Sequence, residues 1–358
     1  MRHTIKEAGL IMTLLLLIGT FASCKKTVKK EVIADNTIIT EVKETPKAIR
    51  EPLVFIAGVD SGDNDFYASA RQYFIENEYE VVDDAFSLEE IINWLNRNYD
   101  ERLYGEIHIV SHSNPWKGMS LETVIKGERV TVQSLKKNAI EGKVPVLKDV
   151  IAADAKIVFH ACGLGENKKL LQVFKTIFTT SNTPKIVASP YYTIFSKDTS
   201  KHYLAKPYYG YYPTANSPGK VDLAKEFAKS YPEEKDIDWY NALNNEEERY
   251  VGEAYTHQFN IPVEWEIDYS DSDETIPTFK WQEEIMDWIS ENEELAKEFS
   301  NYNIPLEKFR WKAYKKGSKL IIKGKTTVLC VLKPLIKPYG DLQHIEPEID
   351  NLRLYNVE

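Results

Sequence analysis

An α/β fold built on a mostly parallel sheet is the architecture this chain predicts, and three observations carry it. Short apolar-rich runs, among them Leu53 to Val59, Glu106 to Val110 and Lys156 to Phe159, are long enough for buried strands and too short for helices. Segments of helical length alternate with them, and that alternation implies parallel strands with helices on both faces of the sheet. Polar, glycine-bearing exits follow the strands, where turns are needed.

The elements follow in order. Leu53 to Val59 reads as the first strand, 60–63 as a turn and Asp65 to Asn77 as a helix. Tyr79 to Val82 is the second strand, and Ser87-Leu88-Glu89-Glu90 opens a second helix with a capping-box pattern. Glu106 to Val110 is the third strand and leads to Ser111-His112-Ser113. A polar insertion over 115–155 holds short strands around Gly127 and a helix near Leu135. Lys156 to Phe159 is the fourth strand, ending at His160-Ala161-Cys162, with a helix from Asn167 to Phe178 and a fifth strand from Lys185 to Ala188. Beyond residue 200 the character changes. Tyr203, Tyr208, Tyr209, Tyr211 and Tyr212 crowd a segment punctuated by Pro and Gly, read as a loop that serves either as a peptide-binding wall or as packing. A helix over Val221 to Lys229, a strand over Val263 to Ile267, a helix from Trp281 to Phe299 and three short strands between Phe309 and Leu332 read as a small α+β module.

The 358 residues suffice for one large domain or two ordinary ones, and 43% hydrophobic residues can bury a full core. A net charge of −10 excludes nucleic acid as a partner, since phosphate binding needs a basic surface. Arg2 and Lys6 precede an apolar stretch from Leu10 to Ile18, which is too short for a comfortable membrane span. With Phe21-Ala22-Ser23-Cys24 it resembles a bacterial lipoprotein signal, in which Cys24 is lipid-modified and becomes the mature N-terminus. The organisation expected is a signal peptide over 1–23, a polar tether over 24–50, an α/β domain over 51–230 and an α+β region over 231–358. Lipid on Cys24 would hold the protein at the cell envelope, in the outer membrane if the cell is Gram-negative, with tether lysines beside anionic headgroups.

Cys162 and Cys330 are then the remaining cysteines. Cys330 lies in an apolar run and reads as a core thiol. Cys162 and His112 fall at the tips of two expected strands, about 4.8 Å apart if those strands are neighbours. A thiol attacks only as thiolate, and a neighbouring imidazole is a common means of supplying it. His160, two residues before Cys162 in an extended strand, stands about 6.6 Å away and reads as a neighbour. His108 and His112 are too far apart along a strand to share a metal, and no metal or cofactor is expected. His202, His257 and His344 lie in polar stretches and read as exposed.

Ser111-His112 after one apolar strand, and Ala161-Cys162-Gly163 after another fifty residues on, resemble the paired motifs of the caspase–gingipain–legumain superfamily, caspase-like cysteine peptidases of clan CD. The resemblance covers roughly residues 52–200 and implies a caspase-like sheet, Cys162 as nucleophile and His112 as general base or acid. It also implies an oxyanion hole from the backbone N–H groups of Ser113 and Cys162. Asp60, at the first strand's tip, is the candidate for binding a basic substrate side chain; a turn acid or helix cap is its other reading. The chain departs from the family pattern at Ser113, His160 and Leu164. Ser113 replaces a glycine whose backbone shape serine resists. The function expected is a lipid-anchored cysteine endopeptidase acting on peptide or protein. The alternative is an inactive caspase-like lipoprotein acting as a binding or structural module.

Overall fold

Side chains alternate between two apolar surroundings along each central strand, so one sheet carries two different covers. The computed structural model describes residues 48–358 apart from 61–63, 197–199, 215–217, 244–253, 271–272 and 339–342. The expected signal segment, Cys24 and the expected tether up to residue 47 lie outside the described residues. The strands are β1 (Ile49–Arg50), β2 (Leu53–Ile56), β3 (Glu80–Val82), β4 (Leu103–Val110), β5 (Ser113–Asn114), β6 (Gly118–Met119) and β7 (Ile151–His160). They continue with β8 (Lys185–Ala188), β9 (Tyr192–Phe195), β10 (His202–Pro213), β11 (Tyr255–Asp268), β12 (Arg310–Lys316), β13 (Lys319–Pro334) and β14 (Asn356–Val357). The helices are α1 (Asp65–Glu76), α2 (Leu88–Arg97), α3 (Val132–Ile140), α4 (Lys168–Phe178), α5 (Lys220–Ser230), α6 (Trp239–Ala242), α7 (Gln282–Glu291) and α8 (Glu293–Ser300).

The fold is mixed α/β. The first sheet has the order β14-β8-β7-β4-β2-β3, with β1 also beside β4. All its pairs are parallel except β14 with β8. Leu53, Phe55, Ile107, Ile109, Ile157 and Phe159 face α2, α3 and α4. Their neighbours Val54, Ile56 and Val110 face α1, through Tyr67, Ala70 and Phe74, together with Phe195 of β9. Local chemistry starts the helices where the sequence predicts. The Ser87 hydroxyl accepts from Glu90 N at 3.2 Å, while the Glu90 carboxylate reaches back to Phe86 N. Asn64 caps α1 by accepting from Phe66 N at 3.0 Å.

A second, antiparallel sheet runs β11-β13-β10-β9, with β12 on β13, and here the structure corrects four expectations. The tyrosine-rich segment is the strand β10, not a loop. Pro207 is tolerated because Tyr209, two residues on, turns its N–H and C=O to the Tyr231 hydroxyl, so Pro207 shares that open side. The three short strands expected between Phe309 and Leu332 are two, β12 and β13, because β13 runs straight through Gly324, where the Trp311 ring occupies the place a Cβ would take. The helix expected from Trp281 to Phe299 is two helices, broken where Asn292 ends α7 and caps α8. The region over 231–358 is not a separate domain, because β13 pairs with β10 and β14 pairs with β8 of the first sheet.

Candidate active site

Strands β2, β4 and β7 run side by side in one direction and end at one edge, with Ile56 opposite Val110 and Val110 opposite His160. Asp60, His112 and Cys162 follow those three ends, the position at which open parallel sheets bind ligands. A cavity of about 880 Å³ opens there. Asp60, His112, Ser113 and Cys162 all line it, so the residues singled out in the sequence meet in one place. The facing wall comes from the second sheet, through Tyr255, His257, Phe259 and Leu332.

Cys162 sits at the turn after β7, in one apolar cluster with Tyr192, Tyr203, Tyr255 and Cys330. The residue is 9% exposed, and its thiol donates weakly to Thr193 O at 3.8 Å. Burial pushes it up to about 12, and no hydrogen bond joins it to His112. The resting site therefore holds a neutral thiol, without the activation that a paired imidazole was expected to supply. Gly163 follows with φ +68°, a left-handed turn open to glycine, and its N–H is taken by Tyr191 O.

His112 is held from several sides. Phe66 stacks on its ring at 4.4 Å and Tyr67 meets it edge-on at 4.9 Å. Its backbone N–H donates to the Tyr67 hydroxyl at 3.0 Å, and its Nε2 lies 2.9 Å from Asn64 Nδ2. Loss of water holds the imidazole down at about 4; Asp60 raises it, while His257 and Arg129 lower it further. Asp60 accepts from the Tyr67 hydroxyl at 2.8 Å and from Ser120 Oγ at 2.7 Å. It acts as a brace behind His112 while still facing the cavity.

Ser113 occupies the hairpin strand β5. Ser120 N donates to His112 O at 2.8 Å, which makes Ser113 and Met119 a non-hydrogen-bonded pair. The Ser113 N–H thus points out of the hairpin, and the Cys162 N–H meets no acceptor beyond its own sulfur. Among the described residues both amides are left without an outside partner. Ser113 does not have a positive φ, so serine is unstrained where the family pattern has glycine.

Among the other histidines, His202 departs from the sequence reading. His160 faces away from the cavity, with Nε2 2.8 Å from His108 Nδ1, and His108 Nε2 is 2.7 Å from Glu106 Oε1. His202 is buried, contrary to expectation, because β10 carries it over β7 to within 5.0 Å of the His160 ring. His257 is open to the cavity, and His344 is partly covered by stacking on Tyr203. Among the described residues no group of three His, Cys, Asp or Glu side chains is placed to hold a metal ion. Reading the sequence missed Asn64, Phe66, Tyr67, Ser120 and Arg129; the signal for Asn64 was its place just before a helix that follows a strand tip. Neither a protein-family model nor a curated protein matches this chain.

Proposed function

We propose that the protein is a caspase-like cysteine endopeptidase, anchored at the cell envelope by lipid on Cys24. The observation that carries the reading is that Cys162 and His112 line one cavity, with the N–H groups of Ser113 and Cys162, which have no outside partner among the described residues, beside them. In this reading Cys162 Sγ bonds to the scissile carbonyl carbon while the two amides bind the oxygen that gains charge. The C–N bond then breaks, the thiol proton ends on the leaving amine with His112 as its carrier, and a thioester remains. Water adds to the thioester, releasing the carboxylic acid and returning a proton to sulfur. Asp60 supports a basic side chain next to the cleaved bond, since it lines the cavity. Incubation with a peptide pool, read by mass spectrometry, tests the reading. New termini that disappear with Cys162→Ala are expected.

One observation favours a second reading, an inactive envelope module that binds peptide. The thiol is held up at about 12 with no base bonded to it. A folded protein that binds peptides and leaves them intact would establish that alternative.

Anchoring is tested separately. Replacing Cys24 with Ala is expected to move the protein from the membrane pellet to the soluble fraction after a high-salt wash, because a few lysines alone hold weakly. Retention in the pellet would exclude lipid on Cys24 as the anchor.

A further inference from the structure

We infer that Asn64 is a positioning residue that fixes His112 as the Nδ1–H tautomer, with Nε2 as the hydrogen-bond acceptor. The argument starts at the helix cap. Phe66 N can only donate, and it donates to Asn64 Oδ1 at 3.0 Å. That bond fixes which end of the amide is oxygen, so the NH₂ group is the end 2.9 Å from His112 Nε2. An NH₂ group has no lone pair to offer a ring N–H. Nε2 must therefore be unprotonated, and the one proton of the neutral ring sits on Nδ1.

The surroundings agree. Phe66 and Tyr67, in the first turn of α1, fix the ring plane. The positive end of a twelve-residue helix lies beside the ring and disfavours an added proton. The charged and titratable groups around His112 are Asp60, Asp65, Tyr67, Lys117, Arg129 and His257. Asp60 favours imidazolium, but its two oxygens are engaged by Tyr67 and Ser120. Burial, Arg129 and His257 outweigh it and hold His112 down at about 4.

The chemical meaning rests on the peptidase reading. A resting Nδ1–H ring offers the cavity a donor able to polarise a carbonyl, the role a neutral histidine takes in other enzymes. It cannot take the thiol proton until Nε2 leaves Asn64, so substrate must part that contact before His112 serves as proton carrier. Tautomer and proton affinity are properties of the resting protein, so their measurement succeeds or fails independently of any peptidase activity.

The test is long-range ¹H–¹⁵N NMR on protein labelled at histidine, with His112→Gln assigning the signal. The wild-type ring is expected to show the Nδ1–H pattern and to stay neutral from pH 7 to pH 5. Asn64→Asp keeps the helix cap but places a carboxylate at Nε2. It is expected to switch the ring to Nε2–H and to raise its proton affinity at least tenfold. Asn64→Ser keeps a cap oxygen, lacks the amide donor and is expected to lose the Nδ1–H preference without loss of thermal stability beyond that of a cap exchange. An Nε2–H pattern in the wild type overturns the inference. So does a folded Asn64→Asp variant in which both tautomer and titration stay unchanged.

Discussion

Iodoacetamide is expected to modify Cys162 in the folded protein at least ~10²-fold more slowly at pH 7.5 than in the urea-unfolded chain. An ordinary thiol titrates near 8.5, whereas burial holds Cys162 up at about 12, so its thiolate population falls by about three powers of ten. A more basic thiolate is intrinsically more nucleophilic, which recovers roughly half of that loss on a logarithmic scale. The 9% exposure then slows access further. Cys330, with no exposed surface and a thiol raised well above its usual range by burial, serves as the unreactive control. A peptide bearing a ketone electrophile tests the other half of the argument. If substrate brings His112 and the amides into play, that reagent labels Cys162 selectively and His112→Gln abolishes the labelling. Fast iodoacetamide modification of Cys162 at neutral pH would mean that a thiolate already stands in the resting site, and would overturn the geometry described here.

The second large effect is loss of stability in mild acid. His160 and His202 lie buried over β7 and β10 at 3% and 7% exposure, and burial holds His202 down at about 3 and His160 well below its usual value. His108 Nε2 lies 2.7 Å from Glu106 Oε1 and its Nδ1 2.8 Å from His160 Nε2, while His160 Nδ1 is buried with no hydrogen-bond partner among the described residues. The unfolded chain takes up protons at these rings below about pH 6.5 and the folded chain does not. Stability is therefore full above pH 6.5 and falls as pH drops from there toward the folded values. Each ring is worth about 1.4 kcal/mol per pH unit in that window, or about 2 kcal/mol at pH 5. Two rings together remove a large share of an ordinary domain's 5–15 kcal/mol. The urea midpoint, measured from pH 7.5 to pH 4.5, is expected to fall steeply below pH 6.5, and His202→Phe to flatten that slope. A midpoint independent of pH between 7 and 5 would show that these rings are solvated in the folded protein.

The parts of the fold that could be read in advance rest on local chemistry. Ser87 and Glu90 announce α2 because both capping partners lie within four residues. The strands that lead to His112 and Cys162 announce themselves through short apolar-rich runs, and their parallel pairing follows from the helices between them. What escaped depends on distant partners. Pro207 and Gly210 give β10 the look of a loop, and only Tyr231, more than twenty residues away, supplies the missing hydrogen-bond partner. His202 looks polar in sequence and is buried only because β10 lies across β7. Asn64 is visible as a cap, but its contact with His112, 48 residues on, is visible only in three dimensions.

The two-walled cavity has a consequence for how the chain matures. One wall is complete by Phe195, while the other waits for β11 and β13, whose registers join residues near 255 to residues near 332. Contacts of that sequence separation form late, so the pocket is among the last features to appear during folding. Until then Cys162 and Cys330 are both ordinary accessible thiols, although the finished structure buries them in one cluster. If the protein is exported to an oxidising compartment, as proposed, it must close its second sheet faster than those thiols meet an oxidant or each other. The yield of usable sites is thus set by a race during folding, before any substrate arrives.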